Sequence, residues 1–264
     1  MDQIDGCLRF AVSGSVLFLI RIYYGGVLMK KNAGLIDRIL LFTLIPSFFI
    51  ALYLIFIWSP VEKMMGATQK IFYFHVGSAW VAFLAFGVVG YYSVRVLIKP
   101  RLQHHINAGI SAEIGVLFTT ITLITGMIWG KSSWNTWWTW EPRLATTLIL
   151  WFIYVAYLFV RKMDGSMEKI ARLSAVFGIV GVINVPIVFM AIRWWNTKLH
   201  PIVFGEGKNQ SGGGIEPDML VTLLFSIFTI TLLYAFLMRK GIEIEKMRHI
   251  VKKAKSKAIE KLAG

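Results

Sequence analysis

Apolar positions in this chain do not alternate with polar ones. They come in long runs divided by short polar or basic connections, and six of these runs can cross a bilayer: Ile39 to Trp58, Ile71 to Val94, Ile106 to Trp129, Leu144 to Val160, Leu173 to Ile192 and Met219 to Met238. At about 1.5 Å per residue each is of the order of the ~30 Å hydrocarbon thickness that a helix must cover. Transmembrane strands would need alternating polarity, which the runs lack. The pattern predicts an all-α integral membrane protein of six transmembrane helices. Pro46 and Pro186 fall inside the first and fifth runs, where they predict bends whose freed backbone groups neighbouring helices satisfy.

A seventh apolar run, Phe10 to Ile20, is bracketed by Arg9 and Arg21 and is too short to span. It reads as an interfacial segment, a signal-like core or sequence upstream of the true start, without an A-x-A-like cleavage site. It is left outside the predicted bundle.

Composition agrees with the pattern, since 56% of residues are hydrophobic and only 16% charged. The net charge of +14 acquires a meaning once the runs are drawn. Of 28 Lys and Arg residues, 21 fall before run one, between two and three, between four and five, and after run six. By the positive-inside rule this places both termini in the cytoplasm and the connections after runs one, three and five outside. No nucleic-acid partner is needed to explain the charge. The tail after run six reads as a basic, topology-setting segment with a solvated face; contact with anionic membrane lipid or a cytoplasmic partner is the alternative.

A single cysteine, Cys7, excludes an internal disulfide, a CxxC pair and a thiolate metal cluster. The chain also lacks a Walker lysine motif, GxSxG and HExxH, so hydrolytic chemistry has no support and a non-enzymatic role is expected.

The five histidines divide by side. His104 and His105 in "KPRLQHH" and His249 in the tail fall on the inner side and read as solvated surface residues. His75, in "QKIFYFHVGSAW", lies about one turn, roughly 6 Å, inside the outer end of run two. His200, in "RWWNTKLHPIVF", lies just past the outer end of run five. An ionisable group at membrane depth is costly to bury unless it is used.

The outer connection "WGKSSWNTWWTWEPRL", residues 129–144, holds five of the chain's ten tryptophans. Trp129, Trp134, Trp137, Trp138 and Trp140 share neither one helical face nor one strand parity, so they do not form a simple core stripe. An interfacial aromatic belt is one reading. A surface for a large flat apolar ligand is the other, with offset stacking worth about 0.5–1.5 kcal/mol per aromatic contact. Haem suits the second: its porphyrin is flat, two neutral imidazoles can occupy its axial positions, and its propionates need cations such as Lys131, Arg143 and Lys198. Glu141 and Pro142 read as the entrance to run four, with proline in the first turn and a carboxylate facing the helix dipole.

These residues carry a resemblance. "WGKSSWNTWWTWEPRL" resembles the WWD signature of cytochrome c maturation haem-handling proteins, and "WWNTKLHP" with "FYFHVGSAW" is similar to the component C (CcmC) branch of that family. The resemblance implies a six-helix haem-handling domain over 36–240 with its WWD loop at 129–144, preceded by an extension, 1–35, and followed by a basic cytoplasmic tail, 241–264. It implies His75 and His200 as axial ligands of haem b carried as cargo. Trp129, Gly130, Trp134, Trp137, Trp138, Trp140, Glu141 and Arg143 would form the loop site, with Lys131, Trp195 and Asn196 supporting. It further implies the bacterial cytoplasmic membrane as location, with ABC transporter subunits (CcmA- and CcmB-like), a small membrane subunit (CcmD-like) and a periplasmic haem chaperone (CcmE-like) that receives the haem as partners.

The chain departs from the family pattern where Glu141 replaces the usual aspartate and Asn135 the usual glycine. Pro142 after the acid leans toward the larger cytochrome c synthase branch, which would need additional spans and further histidines. A haem or solute permease is the remaining alternative, but it would call for internal repeats, broken helices or mid-membrane charges. Glu113 in run three is the only acid inside a span and Asn184 the only strongly polar group near the middle of run five, and neither outlines a path.

Overall fold

The computed structural model describes residues 34–61, 66–195 and 215–263. Six long helices account for most of them: α1 (Leu35–Tyr53), α2 (Ile71–Ile98), α3 (Leu102–Trp134), α4 (Pro142–Val160), α5 (Met167–Trp194) and α6 (Pro217–Ala263). A π-helical turn, Leu54–Trp58, prolongs α1, and a 3-10 turn, Ala67–Lys70, leads into α2. All six stretches are long and apolar enough to cross a membrane, as the runs predicted. Pro46 and Pro186 lie inside α1 and α5, and both helices continue past them.

Helices α2, α3, α4 and α5 close a ring, each packing on the next and α5 returning to α2. Helix α6 lies against α2 and α3, and α1 sits outside it. Hydrocarbon lipid is as apolar as leucine, so such helices are held by close packing and interhelical hydrogen bonds. Both occur here. The rings of Phe86 (α2) and Tyr154 (α4) stack with centroids 3.7 Å apart and planes 5° from parallel. The pair fits because glycines lie beneath it: a Cβ at Gly181 would stand 2.6 Å from the Tyr154 ring, and one at Gly115 would collide with Phe86.

Polar side chains cross between helices in the same core. Ser111 donates to the Ala85 carbonyl at 2.8 Å and lies 2.8 Å from the Tyr234 hydroxyl, which ties α3 to α2 and α6. Trp151 Nε1 donates to Thr120 Oγ1 at 2.9 Å, and Asn184 Nδ2 donates to the Thr146 carbonyl at 3.1 Å. Asn184 is thus a helix–helix fastening. At the α1–α6 contact, Asp37 is buried and accepts from Arg239 Nε and Lys240 Nζ, both at 2.6 Å.

Two expectations need correction. His104 and His105 are not solvated, since each is only 8% exposed. The reason is that α3 begins at Leu102, four residues before the apolar run, which draws both histidines into its first turn. His105 is then held by Arg161 of the α4 end, whose Nη1 lies 2.8 Å from both the His105 Nδ1 and its carbonyl oxygen. The stretch 129–144 is also not one loop. Helix α3 runs through Trp134, and only 135–141 is connection before Pro142 opens α4. Beyond Gly241 the basic tail continues α6 without a break to Ala263.

Candidate functional site

The site lies at the end of the bundle where α2 begins, α3 ends and α4 begins. The lines of the local sequence explain how it is built. Helix α3 stops because Asn135 takes a left-handed conformation, φ 54° and ψ 25°, as its C-cap. Asparagine tolerates this region better than most residues with a side chain. Lys131 secures the turn from one helical turn back, its Nζ donating to Asn135 Oδ1 at 2.7 Å. Asn135 thereby fills a C-cap position that more often holds glycine in helices generally.

The chain then folds back on the helix it has left. A Cβ at Gly130 would stand 3.1 Å from the Thr136 carbonyl oxygen, so a larger residue there would push the returning backbone by a few tenths of an ångström. Thr136 Oγ1 donates to the Trp138 carbonyl at 3.2 Å and stiffens the loop. Glu141, extended at φ −62° and ψ 146°, is the N-cap of α4, and Pro142 is its first residue, as expected from the sequence.

These elements surround a cavity of about 60 Å³. His75, Trp129, Gly130, Trp134, Trp137, Trp138 and Arg143 all line it, so seven of the sequence-predicted site residues meet at one place. The His75 and Trp129 rings lie 6.3 Å apart at 51°, and Trp129 and Trp134 lie 5.6 Å apart at 47°. Trp129 is buried, whereas Trp137 is 58% and Trp140 77% exposed. Trp140 does not line the cavity but meets the edge of Trp138 at 5.7 Å and 81°. The aromatic cluster therefore has a packed root on α3 and an open face on the loop.

Space and polarity together say what could sit there. The exposed Trp137 borders this cavity, so a broad flat ligand would rest against the open indoles and face the polar residues that line it. Two residues that carry donors line it. Trp138 Nε1 is buried without a hydrogen-bond partner among the described residues, and Arg143 borders the same cavity. A buried donor left unmade costs about 1–3 kcal/mol, so an acceptor group on the ligand would relieve it.

Other predicted residues lie elsewhere. Lys131 engages Asn135 and supports the site through the turn. Trp195, at the end of α5, is exposed and pairs edge-on with Trp194 at 5.9 Å. Asn196, Lys198 and His200 lie outside the described residues. Sequence reasoning missed Thr119, Thr122 and Gly126, which line the cavity from α3. With Trp129 they recur every three or four positions, a helical-face signal that was available. It also missed Thr125, whose hydroxyl lies 3.1 Å from His75 Nδ1 and for which the sequence held no sign.

Comparison with known proteins agrees over most of the chain. The family model described as "Heme exporter protein C" matches residues 26–258, beginning inside the N-terminal segment set apart above. A Heme exporter protein C from Bradyrhizobium diazoefficiens is 31% identical over 194 residues, 74% of this chain and 73% of that protein. The protein of that name from Escherichia coli K12 is 30% identical over 194 residues, 74% of this chain and 75% of its own length. A ccmC-like mitochondrial protein of cytochrome c biosynthesis from Marchantia polymorpha is 34% identical over 178 residues, covering 67% and 73%.

Proposed function

Because the chain belongs to the Heme exporter protein C family, we propose that it holds haem b on the tryptophan surface at the outer face of a bacterial cytoplasmic membrane and presents it for cytochrome c biogenesis. The observation that carries this reading is the cavity itself: an imidazole, a cluster of indoles, an arginine and an indole whose N–H has no partner among the described residues converge where three helices and a loop meet.

Each residue has a task. The open faces of Trp137 and Trp140 offer apolar area to the porphyrin plane, while Trp129 and Trp134 fix the floor below. His75 serves as one axial ligand and His200, carried over from the family resemblance, as the other. Arg143 takes a propionate as a charge-assisted fork, and Trp138, which lines the same cavity, offers its Nε1 as a second donor. Lys131 acts on the turn, and Trp195 and Asn196 orient His200. The recipient is a periplasmic CcmE-like haem chaperone, and CcmA-, CcmB- and CcmD-like subunits complete the membrane assembly.

Haem titration of the purified protein tests the proposal. Wild type should give a six-coordinate spectrum, and His75→Ala and His200→Ala should each lose or shift it. Wild-type spectra in both variants would overturn the ligand assignment.

A further inference from the structure

Thr125 of α3 faces His75 of α2, with Thr125 Oγ1 3.1 Å from His75 Nδ1. The same hydroxyl lies 2.7 Å from the Ile121 carbonyl oxygen and 3.2 Å from that of Thr122. A threonine hydroxyl has one proton and two lone pairs, and carbonyl oxygens can only accept. Its proton is therefore directed to the backbone, and a lone pair faces the imidazole. The contact at Nδ1 then needs a proton on that nitrogen. A neutral imidazole protonated at Nδ1 carries its lone pair on Nε2.

The same helix contains this arrangement with an unambiguous donor. Thr120 donates to the Val116 carbonyl at 2.8 Å and accepts from Trp151 Nε1, which can only donate, at 2.9 Å. A hydroxyl satisfied by the preceding turn thus serves as an interhelical acceptor twice along α3. The opposite tautomer of His75 would require Thr125 to turn its proton away from both carbonyls.

We propose that Thr125 is a positioning residue that sets the Nδ1–H tautomer of His75 and so makes Nε2 the nitrogen that ligates iron. Gly126 completes the arrangement, because a Cβ there would stand 3.1 Å from His75 Cε1 and press on the ring. Hydroxyl, glycine and Trp129 together fix the imidazole plane. The inference rests on His75 being an axial ligand, and partners of this kind orient a ligating histidine and raise its basicity.

The test begins without haem. In haem-free protein labelled with 15N-histidine, the His75 resonances, identified by their loss in His75→Ala, should carry the Nδ1–H signature in wild type and Thr125→Ser. Thr125→Val should shift them toward Nε2–H. Ferric haem titration should then show Thr125→Val about 10- to 100-fold weaker and Thr125→Ser within about threefold of wild type. The Thr125→Val haem should also have a raised reduction midpoint. An Nε2–H wild-type imidazole, or wild-type affinity in Thr125→Val, overturns the proposal. If His75→Ala instead retains the wild-type haem spectrum while the tautomer result holds, the ligand reading fails and the positioning of the ring stands.

Discussion

Lys131 Nζ and Asn135 Oδ1 are joined at 2.7 Å across the last turn of α3, and this bond fastens a residue at φ 54°. Left-handed backbone costs a residue with a Cβ roughly 1–2 kcal/mol. Asn135→Gly should therefore keep haem binding, since the lost bond is offset by relief of that conformation. Asn135→Val, β-branched at positive φ, should lower stability by about 1–2 kcal/mol and weaken haem binding. Thermal unfolding in detergent and haem titration check both.

The exposed and buried indoles should separate cargo contact from packing. Trp140→Ala and Trp137→Ala should each weaken haem binding by about 0.5–1.5 kcal/mol, a factor of roughly 2 to 13, without lowering the thermal midpoint. Trp129→Ala should lower both, because its buried ring packs between His75 and Trp134. Equal loss of stability in all three variants would assign the exposed indoles to structure rather than cargo.

At the other end of α3, Arg161 is held by His105 and also packs over the Tyr157 ring at 5.8 Å. Gly109 leaves room for its guanidinium. Arg161→Ala should cost about 2–4 kcal/mol, from lost packing and from a histidine left without its donor. The haem spectrum should not change, because the cluster lies at the opposite end of the helix. Unfolding curves and absorbance, measured together, decide this.

Asp37 is the ionic fastening of α1, joining two cations of α6 in a bond network with one side buried. Asp37→Ala leaves the half-buried Lys240 with Glu243 as its remaining partner and should destabilise the protein by about 1–3 kcal/mol. Cysteine pairs placed across α1 and α6 should cross-link less efficiently in this variant, while unchanged cross-linking would show that apolar packing alone holds α1.

The six long helices of the described residues were legible because a membrane span has a length requirement, and all six runs met it. Their ends were not. Gln103, His104 and His105 dilute the apolar average before Ile106, yet nothing there stops a helix, so α3 starts earlier than its greasy segment. Lys131, Ser132 and Ser133 hide its far end in the same way. Hydropathy records where lipid is, whereas helix ends follow caps such as Asn135 and Pro142. The site was legible through residue types that carry chemistry on their face, His75, Arg143 and the tryptophans. Thr125 was not, because a threonine in an apolar run looks the same whether its lone pair faces lipid or an imidazole fifty positions away.

The uninterrupted 33 residues of α3 have one more consequence. At 1.5 Å per residue the helix is about 50 Å long, some 20 Å more than the hydrocarbon it crosses. It acts as a gauge that fixes both the height of the indoles at its end along the helix axis and their phase about that axis. One residue inserted between Gly115 and Thr125 would raise the aromatic end by about 1.5 Å and rotate it by about 100°. Trp129 would then no longer face His75, although every residue of the site would still be present.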